Sequence, residues 1–172
     1  NIVASAIGGL TNPTKLCNTF ESVKHEKVNR MTLTSYLSYL CESFLIEKSS
    51  QYDIKGKRYI DSPYKYYFCD CGLRNARLNF RQVEFTHLLE NVIYNELLVR
   101  GFNVDVGVVP KQVRTDDGSR TRQYYEVDFV CNQGSRRYYI QSAYRMIDEE
   151  KVRQEEASLR NIDDSFKKII IL

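Results

Sequence analysis

The sequence predicts a mixed α/β (α+β) fold in two modules, 1–80 and 81–172. Three observations predict it. Residues 1–44 carry apolar side chains at helical spacing, interrupted at Gly8-Gly9 and again at 25–29. Residues 45–71 are dense in β-branched and aromatic side chains, which fit a pleated, half-buried surface. Residues 81–172 switch between the 3.6 and 2.0 periodicities in the order helix, three strands, helix, strand, which reads as a compact layered fold.

The elements follow in order. Residues 2–7 read as the tail of a helix ended by Gly8-Gly9. Thr11-Asn12-Pro13 offers a polar cap with proline at the first helical position, and Leu16, Phe20 and Val23 continue at helical spacing. Thr32 caps the clearest amphipathic stretch, 32–44, with Leu33, Tyr36, Leu37, Leu40, Cys41 and Phe44 on one side. Ile46, Tyr52, Ile54, Tyr59, Ile60, Tyr64, Tyr66, Tyr67 and Phe68 make two or three strands around a turn at Gly56-Lys57. Helices followed by a β-hairpin are the order of a winged helix, whose last helix before the hairpin enters a major groove. In the second module, 81–100 is a helix with Leu88, Leu89, Val92, Ile93, Leu97 and Leu98 as its apolar side, stopped by Gly101. Phe102, Val104 and Val106 alternate as a strand, and 111–122 reads as a polar, charged loop. Strands at 125–130 and 138–140, a turn at 132–134, a charged helix at 148–160 and a strand at 166–172 complete the pattern.

Composition narrows the class. Of 172 residues, 42% are hydrophobic and 27% charged, a globular balance rather than a disordered one. The longest apolar runs, such as 169–172, are far too short to span a bilayer, and no signal peptide opens the sequence. The five cysteines are odd in number and scattered, which favours a reducing, cytoplasmic setting over a disulfide framework. Cys69 and Cys71 would share one face of a strand. A structural zinc needs four ligands, and His25 and His87 lie far from this pair in sequence. The first 80 residues carry eleven Lys/Arg against seven Asp/Glu, and the remainder fourteen against fifteen. A mildly basic first module suits phosphate contacts without being a strong footprint. The sequence opens inside a helix without a methionine and closes in a strand, so it reads as cut from a longer protein.

Chemistry concentrates at Glu90, Asp128, Gln141 and Ala143. A metal-dependent nuclease needs hard oxygen ligands around a divalent cation and a basic group beside the phosphate. Glu90 on the helix, Asp128 in Glu126-Val127-Asp128-Phe129, a Gly turn and the apolar strand leading to Gln141 resemble the PD-(D/E)XK, restriction-endonuclease-like fold. That resemblance implies a mixed sheet flanked by helices, with Glu90, Asp128 and Gln141 gathered at a vestigial nuclease-like site. Mg²⁺ would be held by these three residues in an active version. The family's Glu is Gln141 here and its Lys is Ala143, which implies weak or absent cleavage. A wider resemblance rests on three stretches: Tyr66-Tyr67-Phe68-x-Asp70-x-Gly72-Leu73-Arg74-Asn75, then His87-Leu88-Leu89-Glu90-Asn91-x-x-Tyr94-x-Glu96-Leu97, then Glu126-x-Asp128-Phe129. Together they resemble the C-terminal region of AAA-type ATPases of the DUF4143 type, a winged-helix part followed by a nuclease-like part. It implies an ATPase module earlier in the parent chain, which would bind ATP. No G-x-x-x-x-G-K-[ST] loop occurs in these 172 residues.

The residues expected at a nucleic acid are Lys24, Lys27 and Arg30 ahead of the helix at 32–44, and Lys55, Lys57 and Arg58 in the hairpin. The outer face of that helix carries Thr34, Ser35, Ser38 and Glu42, not the Arg, Lys, Asn or Gln that read base edges. DNA binding would therefore be weak, sequence-tolerant and steeply salt-dependent. Plainer roles stand beside these: Glu90 as a surface or capping charge, Asp128 facing solvent, His87 as a partly buried polar group, Arg74 on the surface, and the thirteen tyrosines as packing. Two further functions remain open, an active Mg-dependent DNA nuclease and a protein-interaction module without nucleic acid.

Overall fold

The computed structural model describes residues 1–172 except 82, 115–117 and 145–148. The elements run α1 (Ile2–Ser5), α2 (Pro13–Lys24), α3 (Arg30–Glu42), β1 (Ile46–Asp53), β2 (Arg58–Phe68), α4 (Cys71–Arg77) and α5 (Phe85–Val99). They continue as β3 (Asn103–Arg114), β4 (Arg120–Gln133), β5 (Arg136–Ser142), α6 (Glu149–Arg160) and β6 (Lys167–Ile171). This is a mixed α/β architecture built on a six-stranded mixed sheet in the order β2-β1-β3-β4-β5-β6.

The chain divides into two compact units. The first holds Asn1–Ser50 and Asp61–Asn95, the second Gln51–Ile60 and Glu96–Leu172. This partition differs in two places from the expected division at 80/81. The tip of the β1–β2 hairpin groups with the second unit, because Gln51, Tyr52 and Asp53 pair in parallel with Val106, Gly107 and Val108 of β3. Most of α5 groups with the first unit, because its polar side chains hold the end of β2, as described below.

In the first unit, Asn12 caps α2 by accepting from the Lys15 N–H, with Pro13 at the first helical position, as its sequence signals. Helix α3 begins at Arg30 instead of after Thr32. Its cap is Asn29, whose Oδ1 accepts from the Met31 N–H at 2.8 Å. Ala4, Ile7, Leu16, Leu37, Ile46, Tyr66 and Phe68 form the core of this unit. Strand β2 ends at Phe68, and Asp70 caps α4, so Cys71 opens a helix. The expectation that Cys69 and Cys71 share a strand face is therefore corrected.

In the second unit, β3, β4 and β5 are antiparallel neighbours, and β6 returns parallel to β5 after α6. Gly134, at φ 58°, supplies the left-handed first residue of the two-residue β4–β5 turn. The core is Ile54, Val109, Val127, Val130, Tyr139, Leu159 and Ile162. Of the polar segment 111–122, residues 115–117 lie outside the described residues, and 111–114 and 120–122 are strand, not loop. Lys111, Gln112, Val113 and Arg114 extend β3 and pair with Gln123, Arg122, Thr121 and Arg120 of β4. Backbone pairing satisfies the ladder whatever the side chains are, so polarity alone does not end a strand whose faces meet water.

Gly107 sits beside a register shift in β3, under the core. A Cβ there would lie 2.8 Å from Val127 Cβ and 2.9 Å from Ile54 Cδ1 and Val130 Cγ2. We expect Gly107→Ala to destabilise the second unit by about 1–3 kcal/mol through overpacking, read as a lower urea midpoint. An unchanged midpoint would show that β3 and β4 have room to separate.

Candidate functional site

Helix α5 carries the densest run of chemistry-bearing residues, and the first unit explains them. The helix buries Glu90, Asn91, Ile93, Tyr94 and Leu97, while Val92 of the expected apolar side is 54% exposed. Two of the five buried positions are polar because the partner surface is the end of β2. That strand is an edge strand, and an edge leaves backbone N–H and C=O groups without a ladder partner. Asn91 supplies the partner: its Oδ1 accepts from Phe68 N–H and its Nδ2 donates to Phe68 C=O, both at 2.7 Å. Asn95 Nδ2 adds a bond to the same carbonyl at 2.9 Å and one to Cys69 C=O.

Glu90 belongs to the same seam. Successive strand residues alternate faces, so Tyr66 and Phe68 enter the core while Lys65 and Tyr67 turn to the other side. There Lys65 Nζ donates to Glu90 Oε1 at 2.8 Å, and Tyr67 Oη donates to the same oxygen at 2.7 Å. Lys65 is 2% and Glu90 5% exposed. Tyr67 stacks on Tyr94, ring centroids 4.0 Å apart. Gly8, at φ 73°, passes so close that a Cβ would lie 2.7 Å from the His87 ring and 3.2 Å from Glu90 Oε2. His87 is half-buried, as expected, with Nδ1 against the Glu84 carboxylate. Arg74 is not a surface arginine: it is 1% exposed, its Nε donates to Ala4 C=O, and its Nη1 donates to Asn75 Oδ1. Glu90 is thus neither a surface charge nor a helix cap but half of a buried ion pair.

The other two residues of the expected constellation meet in the second unit. Asp128 is buried, and its Oδ2 accepts from Ser142 N–H at 2.8 Å and Ser142 Oγ at 2.7 Å. The plainer expectation that Asp128 faces solvent is corrected. Gln141 accepts from the Asp128 N–H and from Ser158 Oγ, and donates to Glu155 of α6. Ala143 is buried, with its N–H bonded to Ile171 C=O.

A magnesium ion prefers octahedral oxygen ligation with carboxylates and retained waters. The donor set does not fit one. Gln141 brings no charge, Ala143 brings neither ligand nor ammonium, and the Glu90 carboxylate is already neutralised by Lys65. Among the described residues no group of three His, Cys, Asp or Glu side chains is placed to hold a metal ion. Burial raises the thiol pKa of Cys41, Cys69 and Cys71, and that of Cys131 to about 12, away from the thiolate form that reacts or ligates.

The six expected nucleic-acid contacts divide between the units. Lys24, Lys27 and Arg30 belong to the first; Lys55, Lys57 and Arg58 belong to the second. Lys27 lies 3.7 Å from Glu21, Lys55 3.2 Å from Asp163 and Arg58 3.7 Å from Asp53. These are loose surface pairs of small energetic weight. Thr34, Ser35, Ser38 and Glu42 are exposed on α3, as expected, and Met31, Tyr36 and Tyr39 are exposed with them. Sequence reasoning missed Lys65, Tyr67, Asn91, Asn95 and Ser142. A lysine inside the run Tyr64-Lys65-Tyr66-Tyr67-Phe68 was the available signal for the first of these, since a charge in so apolar a strand asks for a buried partner.

Residues 1–84 match the family model described as a domain of unknown function (DUF8612). Over 169 residues, 98% of this chain, it is 33% identical to an uncharacterized protein of Haemophilus influenzae (strain Rd). Those residues cover 38% of that relative, so the chain spans well under half the length of the curated protein it matches. No solved structure matches the chain. No helix among the described residues is long and apolar enough to cross a membrane.

Replacing Asn91 by Ala would leave the Phe68 N–H buried without its acceptor. We expect Asn91→Ala to cost about 1–3 kcal/mol, the range for one stranded buried polar group, since Phe68 C=O keeps its bond from Asn95. Asn95→Ala should cost about 1 kcal/mol or less, because Phe68 C=O keeps its bond from Asn91. Chemical denaturation of the two variants checks the order; equal costs would contradict the clamp.

Proposed function

We propose that this chain is the C-terminal regulatory region of a cytoplasmic AAA-type ATPase of the DUF4143 type, contacting nucleic acid or a partner. ATP would be bound by a module elsewhere in the parent protein. In this reading residues 1–80 are the winged-helix-like part, and the nuclease-like part, 81–172, is a scaffold that does not cleave. The observation that carries the reading is the state of the three motif positions. Glu90 is spent on Lys65 and Tyr67, Asp128 on Ser142, and Gln141 on the Asp128 N–H, Ser158 and Glu155. A phosphodiester hydrolase at this site would need a charge-stabilising group over the phosphate, and Ala143 removes it.

A second reading, docking of a protein partner on α3, is favoured by exposed Met31 (78%), Tyr36 (56%) and Tyr39 (61%). Aromatic and methionine side chains are enriched in interface cores, and this face holds no lysine or arginine beyond Arg30 at its first position. The partner would be the ATPase module of the same parent chain.

Incubating the chain with supercoiled plasmid and millimolar Mg²⁺ or Mn²⁺ tests the catalytic part. We expect no cleavage above that of an Asp128→Ala variant prepared in parallel. Cleavage that depends on metal and disappears in Asp128→Ala would replace this reading with an active nuclease.

A further inference from the structure

We propose that the distal β3–β4 ribbon is a nucleic-acid arm that lays an arginine face against duplex phosphates. The inference rests on the nucleic-acid reading above and locates the contact on a segment that neither the sequence motifs nor the six expected basic residues include.

The ribbon is a two-stranded extension of the sheet. Strand β1 accompanies β3 only along Val106, Gly107 and Val108, and β5 accompanies β4 only from Phe129 to Gln133. From Pro110↔Tyr124 to Arg114↔Arg120 the two strands pair only with each other among the described residues. Residues directly opposite in an antiparallel pair share a face, and the face repeats every second residue. Gln112, Arg114, Arg120, Arg122 and Tyr124 therefore stand together on one side, while Lys111, Val113, Thr121 and Gln123 stand on the other. All five of the first set are exposed, Tyr124 by 61%.

The charge of the described ribbon residues is unbalanced, and all three arginines stand on the one face. Residues 110–114 and 118–124 hold Lys111, Arg114, Arg120 and Arg122 and no Asp or Glu. Residues 115–117, which include Asp116 and Asp117, lie outside the described residues. Arg114 stands directly opposite Arg120, an arrangement that like charges disfavour. An anion seated across the pair removes that repulsion, and guanidinium groups match phosphate oxygens in bidentate geometry. Arg120 and Arg122, two residues apart, are separated by roughly 7 Å along the strand. That spans about two charge steps of one DNA strand at 3.4 Å each. A two-stranded ribbon also fits the width of a major groove. Nucleic acid is favoured over a lipid surface because the face offers Gln112 and three arginines for hydrogen bonding and a single aromatic ring, with no apolar patch to insert. The turn carrying Lys55, Lys57 and Arg58 follows β1 at the end of the sheet from which the ribbon leaves, since β1 and β3 run parallel. It would extend the same electrostatic track at the ribbon's base.

Fluorescence anisotropy of a labelled 25-base-pair duplex, titrated with the 172-residue chain across a range of salt concentrations, tests this. The unmodified chain is compared with Arg114→Gln/Arg120→Gln/Arg122→Gln and with Lys24→Gln/Lys27→Gln/Arg30→Gln. We expect the ribbon variant to weaken binding at low salt by roughly tenfold or more and to flatten the log–log salt slope by about 2–3, since each lost phosphate contact removes about 0.9. Its unfolding midpoint should be unchanged or higher, which separates lost binding from lost fold. The Lys24 variant should bind more nearly as the unmodified chain does. If the unmodified chain binds and the ribbon variant matches it in affinity and slope, the ribbon assignment is wrong while the nucleic-acid reading stands. If the unmodified chain does not bind duplex at low salt, or binds only vesicles of anionic lipid, both fail.

Discussion

Strand β2 has to end somewhere, and the way its end is held organises the first unit. An edge strand with one face in an apolar core cannot leave its backbone groups dry and unpaired. Helix α5 solves this with side chains instead of another strand. Asn91 mimics a ladder partner at Phe68, and one turn on, Asn95 takes the adjacent carbonyls. Lys65 and Tyr67, on the face opposite Tyr66 and Phe68, converge on one oxygen of Glu90. A buried lysine is costly unless it is paired and hydrogen-bonded. Position and rotation of α5 along β2 are therefore set by polar contacts, with the Tyr67–Tyr94 stack and the close pass of Gly8 completing the seam.

This changes what the motif means. The stretch His87-Leu88-Leu89-Glu90-Asn91 through Glu96-Leu97 draws the eye as a site of chemistry because it concentrates carboxylate, amide and imidazole on one helix. In the structure Glu90 and Asn91, the buried polar members, have their partners inside the same unit. In the second unit, Asp128, Ser142, Gln141, Ser158 and Glu155 likewise form a polar cluster where β4 and β5 meet α6. Such networks stiffen the place where they sit when all their members are satisfied.

Much of the fold was legible in the residues. The order helix, three strands, helix, strand after α4 follows from periodicity, and the Asn12-Pro13 start of α2 follows from capping chemistry. What was not legible has identifiable physical causes. The 111–122 segment looked like a loop because polarity was read as absence of structure, yet a ribbon with two wet faces carries polar residues on both. The α3 start was misplaced because Asn29 and Thr32 are both competent caps, and only the backbone decides which one is used. Val92 was assigned to the core because apolar spacing cannot see that the partner surface is an unpaired strand end. Asp128 and Gln141 were placed near each other from strand order alone, but the serine that holds Asp128 follows Gln141 in an unremarkable Gln-Ser-Ala and carried no signal.

The central claim is that the carboxylate of Glu90 is structural, held by Lys65 and not kept for a metal. A double-mutant cycle on Lys65→Met and Glu90→Leu, read by chemical denaturation, measures it directly. Each single replacement should cost about 3–5 kcal/mol by leaving its partner charged and buried, and the double replacement should recover most of that loss. Strictly additive costs, or a Glu90→Leu chain as stable as the unmodified one, would contradict the pair and return Glu90 to the candidates for chemistry.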